Sequence, residues 1–185
     1  MKLAIHSDAS YLSEPKARSR AGGYFFLTGK HNDTTPDNGA VLNVAQVIKA
    51  VMSSAAEAEL GALYINAKHA VPMRHTLEEL GHPQGRTPIQ TDNSTANGVI
   101  NGKIQSKQTK AMDMRFYWLK DREAQNFFQF HWKPGKNNLA DYWTKHHAAI
   151  HHANIRSQIL SSPSIIEQLR KRLSGALKGV TARVC

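Results

Sequence analysis

The chain has 185 residues, 41% of them hydrophobic, which is enough to bury one domain core with an appendage and excludes disorder as the default reading. No run approaches the roughly 20 apolar residues that a bilayer span needs, and the opening MKLAIHSDAS turns polar too early for a signal peptide, so a soluble, intracellular protein (cytoplasmic or nuclear) with no membrane partner is expected. The formal net charge of +10 favours a polyanionic partner, nucleic acid first, and the single cysteine at the last position excludes a disulfide framework or a Cys-based zinc site within the chain.

The opening KLAIHSDAS reads as a buried strand with Leu3 and Ile5 on one face, ending near Asp8. A polar, basic loop from Tyr11 to Arg20 is expected next, then a second strand at YFFL behind Gly22 and Gly23. The turn-rich GKHNDTTPDNG reads as a hairpin connection into a third strand within AVLNVAQVIKAV. A helix starts at Ser54, because Ser54 and Glu57 form a capping box and Leu60, Leu63, Tyr64 and Ala67 recur at the spacing of a buried stripe. LGHPQGRTP ends it. PIQT is a short strand that delivers Asp92, and NSTANGVING reads as a short helix capped by Asn93 or Ser94. A longer helix follows in SKQTKAMDMRFYWLKDREAQ, with Met112, Phe116 and Leu119 on one face. FFQFHW is the last strand, alternating Phe128, Phe130 and Trp132. NNLADYWTKHH reads as a further helix capped by Asn137 or Asn138, with Asp141 away from its apolar side. The remainder, from about Ala148, includes a basic amphipathic helix with Ile165, Ile166, Leu169, Leu173 and Leu177 along one face. This order suits an α/β domain, a mixed sheet with helices packed on it.

Four acids, Asp8, Glu59, Asp92 and Asp141, each fall at an element end or edge where faces converge. Carboxylates gathered in one site resist ionising together unless divalent cations neutralise them. Magnesium is the natural partner, since it takes oxygen ligands and retains waters. Two such ions about 3.5–4 Å apart support in-line displacement at phosphorus.

The runs SDASYLSEPKARSRAGGYFFL, SSAAEAELGALYINA, IQTDNSTANGVING and FQFHWKPGKNNLADYWTKHH, with acids in the order Asp, Glu, Asp, Asp, resemble the ribonuclease H domain. The SSxxEAE run, the segment SKQTKAMDMRFYWLKDRE and LADYWTK are similar to the version carried by copia-type long-terminal-repeat retrotransposon polyproteins. The resemblance spans Leu3 to His147 and implies a ribonuclease H-like fold, a five-stranded mixed sheet with helices on both faces, over residues 1–147, with residues 148–185 as a basic, partly helical tail. It implies an endoribonuclease that hydrolyses the RNA strand of RNA/DNA hybrids in retrotransposon reverse transcription, with two Mg2+ ions (Mn2+ as substitute). Asp8 would bridge both ions, with Glu59 and Asp92 toward the leaving group and Asp141 toward the nucleophile. The family pattern ELGA selects Glu59, and capping already employs Glu57. Ser10, Ser54 and Asn93 stand where small polar residues meet the hybrid, Lys136 is placed for a phosphate, and Asn137 matches a family Asn near the last ligand. The reverse transcriptase domain of the same polyprotein is the implied partner. Two departures are plain: the loop PGKNN lacks the His that cellular members carry before the last acid, leaving His131 on the strand before it as structural, and Ser94 stands where a Gln often follows the third acid.

Phosphate contacts supply affinity for a hybrid and 2′-hydroxyl contacts tell RNA from DNA. Lys103, Lys107, Lys110, Arg18 and Arg20 join Lys136 as phosphate candidates. His146, His147, His151 and His152 carry no metal role in this reading, because no Cys or acidic ligand accompanies them. An integrase or transposase on the same fold ordinarily orders its acids Asp, Asp, Glu, and the early Glu59 argues against it. The chain opens almost directly on its first strand with no reverse transcriptase ahead of it, so the alternative expectation is a catalytically idle or domesticated nucleic-acid-binding fragment.

Overall fold

The computed structural model describes residues 1–29, 39–94, 98 and 110–160. The chain divides into two compact units, Met1–His146 and His147–Cys185. The first is built on a five-stranded mixed sheet of order β3-β2-β1-β4-β5, from β1 (Lys2–Glu14), β2 (Arg18–Thr28), β3 (Leu42–Ile48), β4 (Thr87–Thr91) and β5 (Phe128–Trp132). β1, β2 and β3 pair antiparallel, whereas β1–β4 and β4–β5 are parallel.

Alternation along the strands sorts the side chains. Leu3 and Ile5 on β1, Phe25 on β2, Val44 and Ile48 on β3, Ile89 on β4, and Phe128 and Phe130 on β5 form one buried core. Helix α1 (Ala55–Glu79) covers that face, laying Leu60, Leu63 and Ala67 on the sheet, and α2 (Lys110–Ala124) adds Leu119, with Phe116 packed partly buried against it. Burying a Phe or Leu side chain of this kind contributes about 1.5–3 kcal/mol. The opposite face carries His6, Tyr24 and Phe26 as a ring cluster, and of the two 3-10 turns (Gly135–Asn137 and Leu139–Trp143) the second packs against β2 and β1. Helical segments thus lie on both faces.

The N-terminus of α1 is capped as the sequence predicts: Ser54 Oγ accepts from Glu57 N at 3.2 Å, while Glu57 Oε2 accepts from Ser53 N at 2.7 Å. Beyond Glu79 the chain turns at Gly81, whose φ of 82° is costly for any residue with a Cβ. The far end of α1 is tied to β4 by the buried Arg74, which donates to Gly85 O at 2.6 Å and Thr87 Oγ1 at 2.5 Å.

Three expectations are corrected. β1 does not end near Asp8 but runs to Glu14, and the loop expected from Tyr11 to Arg20 is a tight hairpin in which Glu14 pairs with Arg18 and the Glu14 carboxylate with the Arg20 guanidinium. The turn sets Lys16 and Ala17 at φ of 59° and 52°, left-handed geometry that suits the twist of paired strands. Neither residue advertises it, so the turn has no Asn-Gly signal to read. NNLADYWTKHH is not an α-helix: Asn138 caps a 3-10 turn by accepting from Ala140 N at 3.1 Å, and Asp141 N and Thr144 N bond three residues back, to Asn138 O and Asp141 O. The tighter winding follows from anchoring at both ends, since Asn138 Nδ2 donates to Ser7 O at 2.8 Å and the Thr144 hydroxyl reaches Asp8.

The hairpin connection GKHNDTTPDNG, most of NSTANGVING, the start of the SKQTKAMDM helix and the amphipathic tail helix lie outside the described residues. In the second unit, helix α3 (Ala149–Ile159) lies within the tail expected to be partly helical, ahead of the amphipathic stretch, and its Ile150 is exposed.

Candidate metal centre

β1 and β4 are hydrogen-bonded in register only at Ile5↔Ile89 and His6↔Gln90. Beyond those pairs the parallel strands part, and open α/β sheets bind ligands in the crevice outside the carboxyl ends of such strands. Asp8 and Asp92 stand at the two lips of this crevice, on the face opposite α1. Glu59 enters it from the first turns of α1: its Oε1 accepts from Ala9 N at 3.1 Å and its Oε2 from Thr91 Oγ1 at 3.4 Å. The helix therefore lends one carboxylate to a gap between two strands, and that is why a residue beside the apolar stripe is nonetheless 6% exposed.

Asp8, Glu59 and Asp92 each offer a carboxylate oxygen such that these oxygens lie within 4.8 Å of one another. Burial and mutual repulsion resist ionisation there. Glu59 is pushed up to about 9, by burial first and then by the charges of Asp8 and Asp92. Asp8 is raised to about 6, by burial first, against the Thr144 hydroxyl, which stabilises the charged form. Asp92 is raised as well, chiefly by burial. Three convergent carboxylates, each held against ionisation chiefly by desolvation, suit a hard divalent cation, which would favour their charged forms and take oxygen ligands.

Asp141 stands beside this group rather than within it. Its charge acts on Asp8 and on Asp92, but its Oδ1 is engaged by Lys145 Nζ. Thr144 bridges the parts by donating to Asp8 Oδ2 while lying 3.0 Å from Asp141 O. Two glycines make room for the arrangement. A Cβ on Gly22 would lie 2.7 Å from Ala140 O, and one on Gly135 would lie 2.5 Å from Asp92 Oδ2. Trp132 Nε1 donates to Asp92 O at 2.8 Å and steadies the backbone there.

Ser10 Oγ is bonded to Ser13 Oγ at 2.6 Å, Ser54 is the α1 cap, and Asn93 N donates to Thr91 Oγ1 at 3.2 Å. Lys136 and Asn137 are exposed on the first 3-10 turn. Lys103 and Lys107 lie outside the described residues. Sequence reasoning missed Thr144, Lys145 and Gly135, and read Asn138 only as a cap. The signal available for the first two was their spacing of three and four residues from Asp141, which in any helical turn returns a side chain to the same side. His131, on β5, lies beside His6 across the sheet through Gln90; both are held below the ordinary imidazole range by burial first, His6 at about 4.

No protein-family model matches the chain. Over 119 residues it is 25% identical to the Retrovirus-related Pol polyprotein from transposon TNT 1-94 of Nicotiana tabacum, which covers 64% of this chain and 8% of the polyprotein. The chain thus corresponds to a small part of that relative. Among solved structures it resembles LC11-RNase H1 in complex with RNA/DNA hybrid, with a TM-score of 0.56 and 13% identity over 76% of this chain and 92% of that one. It also resembles the N-terminal RNase H domain of a Mycobacterium tuberculosis protein, with a TM-score of 0.53 and 16% identity over 77% and 95% of the two chains. The fold is that of ribonuclease H.

Proposed function

We propose that this chain is the ribonuclease H domain of a copia-type retrotransposon polyprotein and hydrolyses the RNA strand of RNA/DNA hybrids with two divalent ions, Mg2+ or in its place Mn2+. The observation that carries the proposal is the convergence of Asp8, Glu59 and Asp92 at the parting of β1 and β4, with Asp141 beside them. Carboxylates that repel each other in a buried crevice are costly to folding, and cation binding offsets that cost.

In this reading Asp8, Glu59 and Asp92 hold one side of the centre and Asp141 the other. Bound divalent ions supply the charge that activates water and offsets the negative charge developing on the leaving oxygen. The protein's own groups do the positioning. Thr144 fixes the rotamer of Asp8, Ala9 N and Thr91 Oγ1 orient the two oxygens of Glu59, and Trp132 with Gly135 sets the approach of Asp92. A water oxygen bonds to phosphorus as the bond to the 3′-oxygen breaks, leaving a 3′-hydroxyl and a 5′-phosphate. Ser10, Ser54, Asn93, Lys136 and Asn137 would meet the hybrid backbone, and the net charge of +10 favours its capture. The reverse transcriptase domain of the same polyprotein is the proposed partner.

The test is hydrolysis of an end-labelled RNA/DNA hybrid at saturating Mg2+ or Mn2+, with Asp92→Asn beside the wild type. The substitution is expected to lower the rate about a hundredfold or more, equivalent to about 2.7 kcal/mol of barrier. Hybrid bound but left intact by the wild type would favour the idle fragment and overturn the proposal.

A further inference from the structure

We infer that Lys145 is a built-in counter-ion of the acidic centre: it holds Asp141 while the centre lacks its second divalent ion and must release that carboxylate for the second ion to bind. The inference rests on reading the four acids as a metal centre, and it concerns how that centre fills.

Four observations lead to it. The Lys145 ammonium pairs with Asp141 Oδ1, and Asp8 and Asp92 also act on it electrostatically, so one cation faces three of the four acids. Its backbone is held in place, because Thr144 is bonded to Asp8 and to Asp141 O and packs against Gly22. Its side chain is 55% exposed, so the ammonium can swing into solvent without breaking packing. Asp141, by contrast with Asp8, Glu59 and Asp92, is not among the carboxylates gathered within 4.8 Å, and its oxygen is already engaged.

The competition follows from charge and tether. The ammonium occupies Asp141 Oδ1 and sets a positive charge beside the carboxylate, so a divalent cation approaching Asp141 meets a competitor for that oxygen and a like charge next to the other. The ammonium is attached four residues away on a fixed turn, so its effective concentration at Asp141 is of the millimolar order expected for a short tether. A divalent ion is favoured by its greater charge but must displace this competitor. Among the described residues no ammonium or guanidinium pairs directly with Asp8, Glu59 or Asp92, so that site fills first, and the Asp141 side fills second and more weakly.

The experiment is Mn2+ titration calorimetry on the full chain without nucleic acid, for wild type, Lys145→Met and Lys145→Arg. The wild type is expected to show a tight and a weak class of Mn2+. Lys145→Met should tighten the weak class about tenfold and the tight class by less, because the ammonium pairs with Asp141 and acts on Asp8 and Asp92 without a direct bond, while Lys145→Arg, which keeps the charge, should behave as the wild type. A single class in the wild type that becomes two in Lys145→Met supports the inference equally. Unchanged or weaker binding in Lys145→Met, or equal tightening in Lys145→Arg, overturns it. Thermal melts without metal provide the second measurement: Lys145→Met should melt below Lys145→Arg, and equal melting temperatures would count against a counter-ion. Cleavage of a labelled hybrid by the same wild-type sample reports separately on the nuclease reading, which can fail while the Mn2+ result stands.

Discussion

Replacing Glu59 by Gln separates the folding role of this side chain from its role toward a cation. In the metal-free protein the folded-state pKa of Glu59 is about 9 against an ordinary 4.5, so between these values the folded state holds a proton that the unfolded chain has released. Stability from this group is therefore full below the ordinary value and is lost as pH rises through the folded one. The slope for one proton is about 1.4 kcal/mol per pH unit, which over pH 7 to 9, with ionisation partial near the upper end, amounts to a loss of about 2 kcal/mol. Asp8, raised only to about 6, has completed its own transition before this window. Glutamine is nearly isosteric with the protonated acid and can still accept from Ala9 N, so Glu59→Gln should lie within about 1 kcal/mol of wild type at pH 7 and stay flat to pH 9. With Mg2+ at a hundred times its dissociation constant the wild type should gain about 2.7 kcal/mol, and the variant far less. Urea unfolding at several pH values, with and without Mg2+, measures all of this. Parallel metal-free stability curves for the two proteins between pH 7 and 9 would refute the assignment of a buried, proton-retaining Glu59.

Two further substitutions test how the centre and its scaffold are held. Gly135→Ala places a methyl against Asp92 Oδ2, and since a carboxylate end can swing aside, the protein should fold with a stability change below about 1 kcal/mol. Its Mn2+ affinity in calorimetry should nevertheless fall about tenfold or more, on the scale seen when groups that position a ligand are lost. Arg74→Ala removes a buried guanidinium that donates to Gly85 O, Gln84 O and Thr87 Oγ1 and stacks 5.2 Å from the Phe127 ring. Acceptors left unpaired in a buried place cost about 1–3 kcal/mol each, so a loss of about 3 kcal/mol in denaturant midpoint is expected, with metal affinity little changed.

The core was legible in the amino-acid order wherever burial imposes a period. Leu3 and Ile5, the Leu60–Leu63–Ala67 stripe, and Phe128 with Phe130 all lie where alternation or helical spacing puts them. The Ser54 cap was readable because its chemistry is local. The β1–β2 hairpin was not, since its outer residues face water, where no period is enforced, and Lys16 and Ala17 adopt left-handed angles without a Gly or Asn to signal them. The segment around Asp141 misled for a related reason. Its composition allows an α-helix, and the bonds to Ser7 O and Asp8 that wind it tighter come from strands more than 130 residues away.

By itself the sequence determined which residues are apolar at which spacing, and so the strands, the long helix and the set of acids available for chemistry. Tertiary structure alone decided that Asp8, Glu59 and Asp92 meet in one crevice, that Asp141 stands at its side in the grip of Lys145, and that Thr144 ties the two. Periodicity is set by local backbone geometry, whereas distances between carboxylates depend on where parallel strands part and on contacts between segments far apart in the chain.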